Sequence, residues 1–148
     1  LVLIDPEDAE YPTCLSLFTM GRDLDGVRFA ERERLLNNAL GLYDYLFGAL
    51  LGMDLTGKQS TLFNYIVRAC LAIPNSSLMT LIELCQPGGA ERYAASIATL
   101  DEITRRFFED EFDLKQYDET KRQVVQRLYR VLTNGALARI ISNPVSKL

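Results

Sequence analysis

Only one stretch of this chain reads as a β-strand, and it comes first. Leu1-Val2-Leu3-Ile4 is an aliphatic run closed by Asp5-Pro6, the pattern of a strand buried on both faces of a parallel sheet. Such a strand needs hydrogen-bonding neighbours on each side. From Pro12 to Asn143 the sequence offers none, because everything there reads as helix. The chain also starts without Met. The expectation is a piece of a larger α/β protein: an all-α helical bundle of about six or seven helices on a short N-terminal strand stub. Residues 1–12 would be strand and connection, 13–143 the helical domain, and 144–148 a return towards the parent sheet.

The apolar fraction, 48% of 148 residues, is enough for a real core. No apolar run approaches the length of a membrane span, and the first residues lack the charged start of a signal peptide. Cys14, Cys70 and Cys85 are odd in number and far apart, as in a reduced, cytoplasmic protein. Histidine is absent. That removes Ser/His/Asp and Cys/His catalysis and leaves no sensible zinc ligand set, so no metal site, no cofactor and no catalytic residue is assigned to this segment. The charge is uneven. Residues 1–119 hold 10 Lys or Arg against 20 Asp or Glu, while 120–148 hold six basic residues and no acid. Opposite surfaces then suit different partners.

The periodicity predicts a first helix over about 27–51, with Leu35, Ala39, Leu42, Tyr43, Leu46, Phe47 and Leu50 as its core stripe. Thr56 and Gln59 form a capping box opening a second helix, which carries Leu62, Tyr65, Ile66, Ala69, Cys70 and Ile73 inward until Pro74 stops it. Thr80 and Glu83 suggest another capping box, for a short helix through Cys85. Pro87-Gly88-Gly89 is the clearest break. Helices are expected over 91–98 and 101–112, the latter with Phe107, Phe108 and Phe112 turned inward. A long one follows from about Tyr117 to Leu132, closed by Asn134-Gly135, and a last short one covers 136–141.

Three patterns carry possible chemistry. Gly52-Met53-Asp54-Leu55-Thr56-Gly57-Lys58 imitates a phosphate-binding loop, but Gln59 stands where a Ser or Thr must reach the metal. A capped helix–loop–helix connection explains it better. Glu109, Asp110, Glu111 and Asp113 cluster beside aromatics and read as a solvated helix end. The long helix is more informative. Val124, Val125, Leu128, Val131 and Leu132 share one arc, and Arg122, Gln123, Gln126, Arg127 and Arg130 occupy the other. With Lys121, these residues form the candidate nucleic-acid or partner-binding set, since guanidinium and amide groups mixed on one face with no carboxylate suit phosphate or a carboxylate-rich protein. A plain solvated helix face is the alternative.

Taken in order, several of these segments resemble the VirD-type and TraG-type coupling ATPases of type IV secretion and their HerA-like relatives. The carriers are Leu1 to Pro6, Arg32-Glu33-Arg34-Leu35-Leu36-Asn37, Tyr45-Leu46-Phe47-Gly48, Leu55-Thr56-Gly57-Lys58-Gln59, Phe107-Phe108 and Ser142-Asn143-Pro144. Glu7-Asp8 departs from the pattern, where many relatives have His-Gly or Lys-Gly. The resemblance implies a homo-hexameric, RecA-like DNA translocase that uses ATP and Mg, is anchored to the bacterial inner membrane, and inserts an all-α domain at its cytoplasmic mouth. That domain would recruit DNA, a relaxase or another secreted protein in conjugative transfer. It would make no direct membrane contact and do no catalysis alone, because the ATPase residues fall outside this segment. A protein-only docking module is the rival reading. The detached strand edge at residues 1–4 would also be free to pair with a second copy, giving a dimer foreign to the parent.

Overall fold

The computed structural model describes residues 56–133, residue 135 and 12 positions scattered between residues 28 and 49. The expected strand at 1–4, the first helix's core stripe, the short helix over 136–141 and the proposed domain boundaries lie outside these residues. Among the described residues every regular element is helical. The described positions from 30 to 49 are helical, with Leu40 buried and Tyr45 exposed. Six α-helices follow: α1 (Gly57–Ala72), α2 (Leu78–Leu84), α3 (Gly89–Arg92), α4 (Ala94–Ile97), α5 (Glu102–Arg106) and α6 (Lys115–Thr133), with a π-helical turn at Phe107–Glu111 between the last two. The all-α expectation holds across this region.

α1 is the central helix, packing against α2, α4 and α6. Its start is the capping box expected from the sequence. Gln59 N donates to Thr56 Oγ1 at 3.4 Å, and Thr56 N donates to Gln59 Oε1 at 3.2 Å; losing such a cap costs about 1 kcal/mol. Its end is set by Pro74, whose ring pushes Ile73 into extended backbone at φ −78°, ψ 124°. Leu62, Ile66, Ala69 and Cys70 are fully buried, as their spacing predicts, and so are Phe63 and Val67. That second stripe widens the buried face because α1 touches elements on several sides. Each such large side chain contributes about 1.5–3 kcal/mol through burial.

Three local expectations need correction. The cap of α2 is Ser77, whose side chain accepts from Met79 N at 3.2 Å, while Thr80 occupies the third helical position and accepts from Ser77 N at 3.1 Å. Glu83 plays no capping part; its carboxylate accepts from the Tyr93 hydroxyl and lies 3.9 Å from Arg92. Burial, then that carboxylate, pushes the Tyr93 phenol up to about 12. The single helix expected over 91–98 is two one-turn helices, α3 and α4, separated at Tyr93. The chain needs that break because Tyr93 is tethered back to α2. Third, the helix over 101–112 changes character after Arg106. Phe112 N donates to Phe107 O at 2.8 Å, one residue further than an α-helical bond. The wider turn brings Phe112 round beside Phe107, so Phe107, Phe108 and Phe112 are all buried together. A regular α-helix spreads those three positions over a broader arc.

The aromatic layer extends across the core. Tyr65 of α1 stacks on Phe107 with centroids 3.9 Å apart, and Tyr117 of α6 meets Phe107 edge-on at 5.5 Å. Two thiols are buried as well, Cys70 on α1 and Cys85 just after α2. Burial raises the pKa of Cys70 well above its ordinary value and pushes Cys85 up to about 12. Thiolate is the reactive form, so neither should be alkylated at pH 7–8 while the chain is folded. Peptide mapping after iodoacetamide should find both unmodified in buffer and both modified in denaturant. Rapid labelling of Cys70 in buffer would contradict this packing.

Candidate partner-binding face

The two arcs read from the sequence are the two faces of α6. Val124, Leu128 and Val131 are buried and Val125 and Leu132 half-buried, packed on the core. On the other side Arg122, Gln126 and Arg130 are exposed, while Gln123 and Arg127 are half-buried. One member of the candidate set leaves this face. The Lys121 side chain is only 8% exposed; its ammonium sits 2.7 Å from Asp113 Oδ1 and 4.0 Å from the centroid of the Phe112 ring. A residue lies about 100° round the helix from its neighbour, which carries Lys121 from the Arg122 face to the core side. Lys121 is therefore a structural cation that docks α6 onto the π-turn.

The face is tied to α1 by a polar seam. Gln59, 4% exposed, donates from Nε2 to Gln123 Oε1 at 2.7 Å and accepts at Oε1 from Arg127 Nη1 at 3.2 Å. Gln123 Nε2 in turn donates to Glu119 Oε1 at 3.0 Å, and Arg122 pairs with the other oxygen of Glu119. Every polar atom of the Gln59 amide is thus engaged, as burial requires. The residue that spoils the phosphate-loop reading is the one that holds the basic helix in place. Lys58 lies 5.4 Å from the Tyr117 ring centroid. Residues 52–55 of that segment lie outside the described residues.

Sequence reasoning missed two residues of the face. Glu119 puts a carboxylate among the cations, which lowers the local positive potential at Arg122. Tyr129 is 48% exposed, three residues after Gln126 and seven after Arg122, so it belongs to the same surface. That periodicity was available in the sequence. An exposed tyrosine between Arg122 and Arg130 supplies the aromatic and guanidinium pairing that contact surfaces favour. No salt bridge reaches Arg130 among the described residues.

The acidic residues before α6 are divided among different partners. Glu109 lies 3.8 Å from Arg105, Glu111 accepts from Gln116 at 3.0 Å, and Asp113 holds Lys121. Among the described residues no three His, Cys, Asp or Glu side chains come together as a metal site, and no helix is long and apolar enough to cross a membrane. Compared with known protein families, curated proteins and solved structures, this chain matches none.

Proposed function

We propose that this chain is the substrate-recognition domain of a coupling-type ATPase of type IV secretion, acting in conjugative DNA transfer, and that the outer face of α6 makes the contact. The ordered sequence resemblance supplies the family. The observation that carries the site is the exposed row Arg122, Gln126, Tyr129 and Arg130, on a helix that the Gln59 seam ties to α1 through Gln123 and Arg127. Guanidinium and amide donors in a row on a helix suit phosphate oxygens, and an exposed tyrosine adds a surface for bases or apolar side chains. ATP hydrolysis, with its Mg, belongs to the rest of the homo-hexameric parent, and the domain works at the cytoplasmic mouth of an inner-membrane machine.

A second reading has its own support. Glu119 sits within the face and the chain's pI is about 4.9, which favours a relaxase or secreted protein over bare DNA as the partner. The alternative parent is a HerA-like DNA-translocating ATPase, whose equivalent domain would meet DNA in repair or packaging.

The test is binding of the isolated chain to labelled single- and double-stranded DNA across a salt series. Expected are affinities that fall steeply as salt rises, at roughly 0.7–0.9 decades per decade of salt for each phosphate neutralised. Arg122→Glu with Arg130→Glu should weaken binding at least about tenfold by removing two such contacts. Arg127 is left in place because it is bonded to Gln59. Stability should move by no more than about 0.5 kcal/mol, both sites being exposed. No DNA binding at low salt transfers the assignment to the protein partner; binding untouched by the double change removes this face.

A further inference from the structure

A second recess lies apart from the α6 face. The helical residues Glu33, Asn37, Leu40 and Gly41, α1 and the start of α5 enclose an open cleft of about 660 Å³, a size that accommodates a small organic group. Its charged groups are Glu33, Arg68 and Asp101, two carboxylates against one guanidinium, so the recess is net negative. Arg68 neutralises it incompletely, with Nη1 3.9 Å from Asp101 Oδ2 and Nη2 donating to Asn37 Oδ1 at 3.3 Å. Asp101 is held ionised. Partial burial works against its charge, but the Thr104 hydroxyl at 2.6 Å, the Thr104 N–H at 3.0 Å and Arg68 outweigh that and lower its pKa below the ordinary value. Apolar lining comes from Leu40, Tyr65 and Ile103, the last 72% exposed.

We propose that this cleft receives a basic side chain from a partner polypeptide, its charged head between Glu33 and Asp101 and its aliphatic stem along Leu40, Tyr65 and Ile103. Long basic side chains combine those two characters, an apolar stem and a cationic tip. An anionic guest meets two carboxylates for one guanidinium and is disfavoured. The site is independent of the α6 face, so either assignment stands or falls alone.

The test is an NMR titration of the isotope-labelled chain with the blocked peptide acetyl-Gly-Arg-Gly-amide, its norleucine counterpart, agmatine and inorganic phosphate. Expected are saturable shifts at Tyr65, Arg68 and Asp101 with the arginine peptide and with agmatine, which shares its stem and guanidinium, and none with the norleucine peptide or phosphate. Glu33→Gln with Asp101→Asn should weaken peptide binding at least about threefold, as loss of two exposed ion pairs does. Asparagine still caps α5, and Glu33→Gln alone, at a half-exposed position, serves if the double variant unfolds. Equal response to norleucine, a response to phosphate, absence of saturable shifts, or unchanged affinity in the variants would each overturn the proposal.

Discussion

Replacing Phe112 by alanine is expected to destabilise the folded chain by about 3–5 kcal/mol, the range for deleting a buried aromatic ring. Phe112 is fully buried. Its ring lies 4.8 Å from that of Phe108 and 6.2 Å from that of Phe107, and it carries the Lys121 ammonium at 4.0 Å. Truncation therefore opens a cavity and uncovers one side of an already buried cation. Urea denaturation should show a much lower midpoint with an unchanged slope, the sign of lost stability without a change in exposed surface. Phe112→Leu should recover part of the loss, because it refills much of the volume but forgoes the ring contacts with Phe107 and Phe108 and the cation–ring contact, worth about 0.5–2 kcal/mol. A cost for Phe112→Ala below about 1 kcal/mol would be out of range for a core ring and would mean that the π-turn is not packed as described.

Gly89→Ala is the second large effect, for a different reason. A Cβ on Gly89 would collide with backbone atoms of α2: the carbonyl oxygens of Glu83 and Leu84, and the Leu84 carbonyl carbon at 2.7 Å. Backbone carbonyls cannot swing aside as a side-chain tip does, so α2 and α3 must separate. The expected loss is about 2–3 kcal/mol or more, at the upper end for overpacking. The neighbouring Gly88 is the control. It adopts the left-handed conformation at φ 72° but has open space around its Cβ position. Gly88→Ala should therefore cost only the roughly 1–2 kcal/mol of left-handed backbone, and Gly88→Asn less. Thermal melts should order the variants with Gly89→Ala lowest; the reverse order would refute the close approach.

The glycine pair shows where the sequence stops being informative. Pro87-Gly88-Gly89 announces a break, and the break is there. Nothing local reveals that Gly88 serves conformation while Gly89 serves contact, because that contact depends on how α2 and α3 meet. The cap of α2 is a similar case. Thr80 and Glu83 fit the S/T-x-x-E/Q capping pattern better than Ser77 and Thr80 do, yet the structure caps α2 with the latter pair and uses Glu83 elsewhere, on Tyr93 and Arg92.

Much of the architecture was nevertheless legible from periodicity alone. The stripe of α1, its capping box, its stop at Pro74 and the two arcs of α6 stand where three- and four-residue spacing put them. These features depend on backbone geometry and on residues within a turn or two of each other, so the local sequence determines them. The candidate site was only half legible. Arg122, Gln126 and Arg130 face outward as the helical period requires. Lys121 does not, because a buried ring and a carboxylate across the π-turn hold it on the core side. Gln59 joins α6 through partners 64 and 68 residues away, a link no spacing rule can contain. The sequence by itself determined which segments coil and which of their faces are apolar. Tertiary packing alone decided which polar side chains are left for a partner, because pairing between distant charges depends on where the helices come to rest.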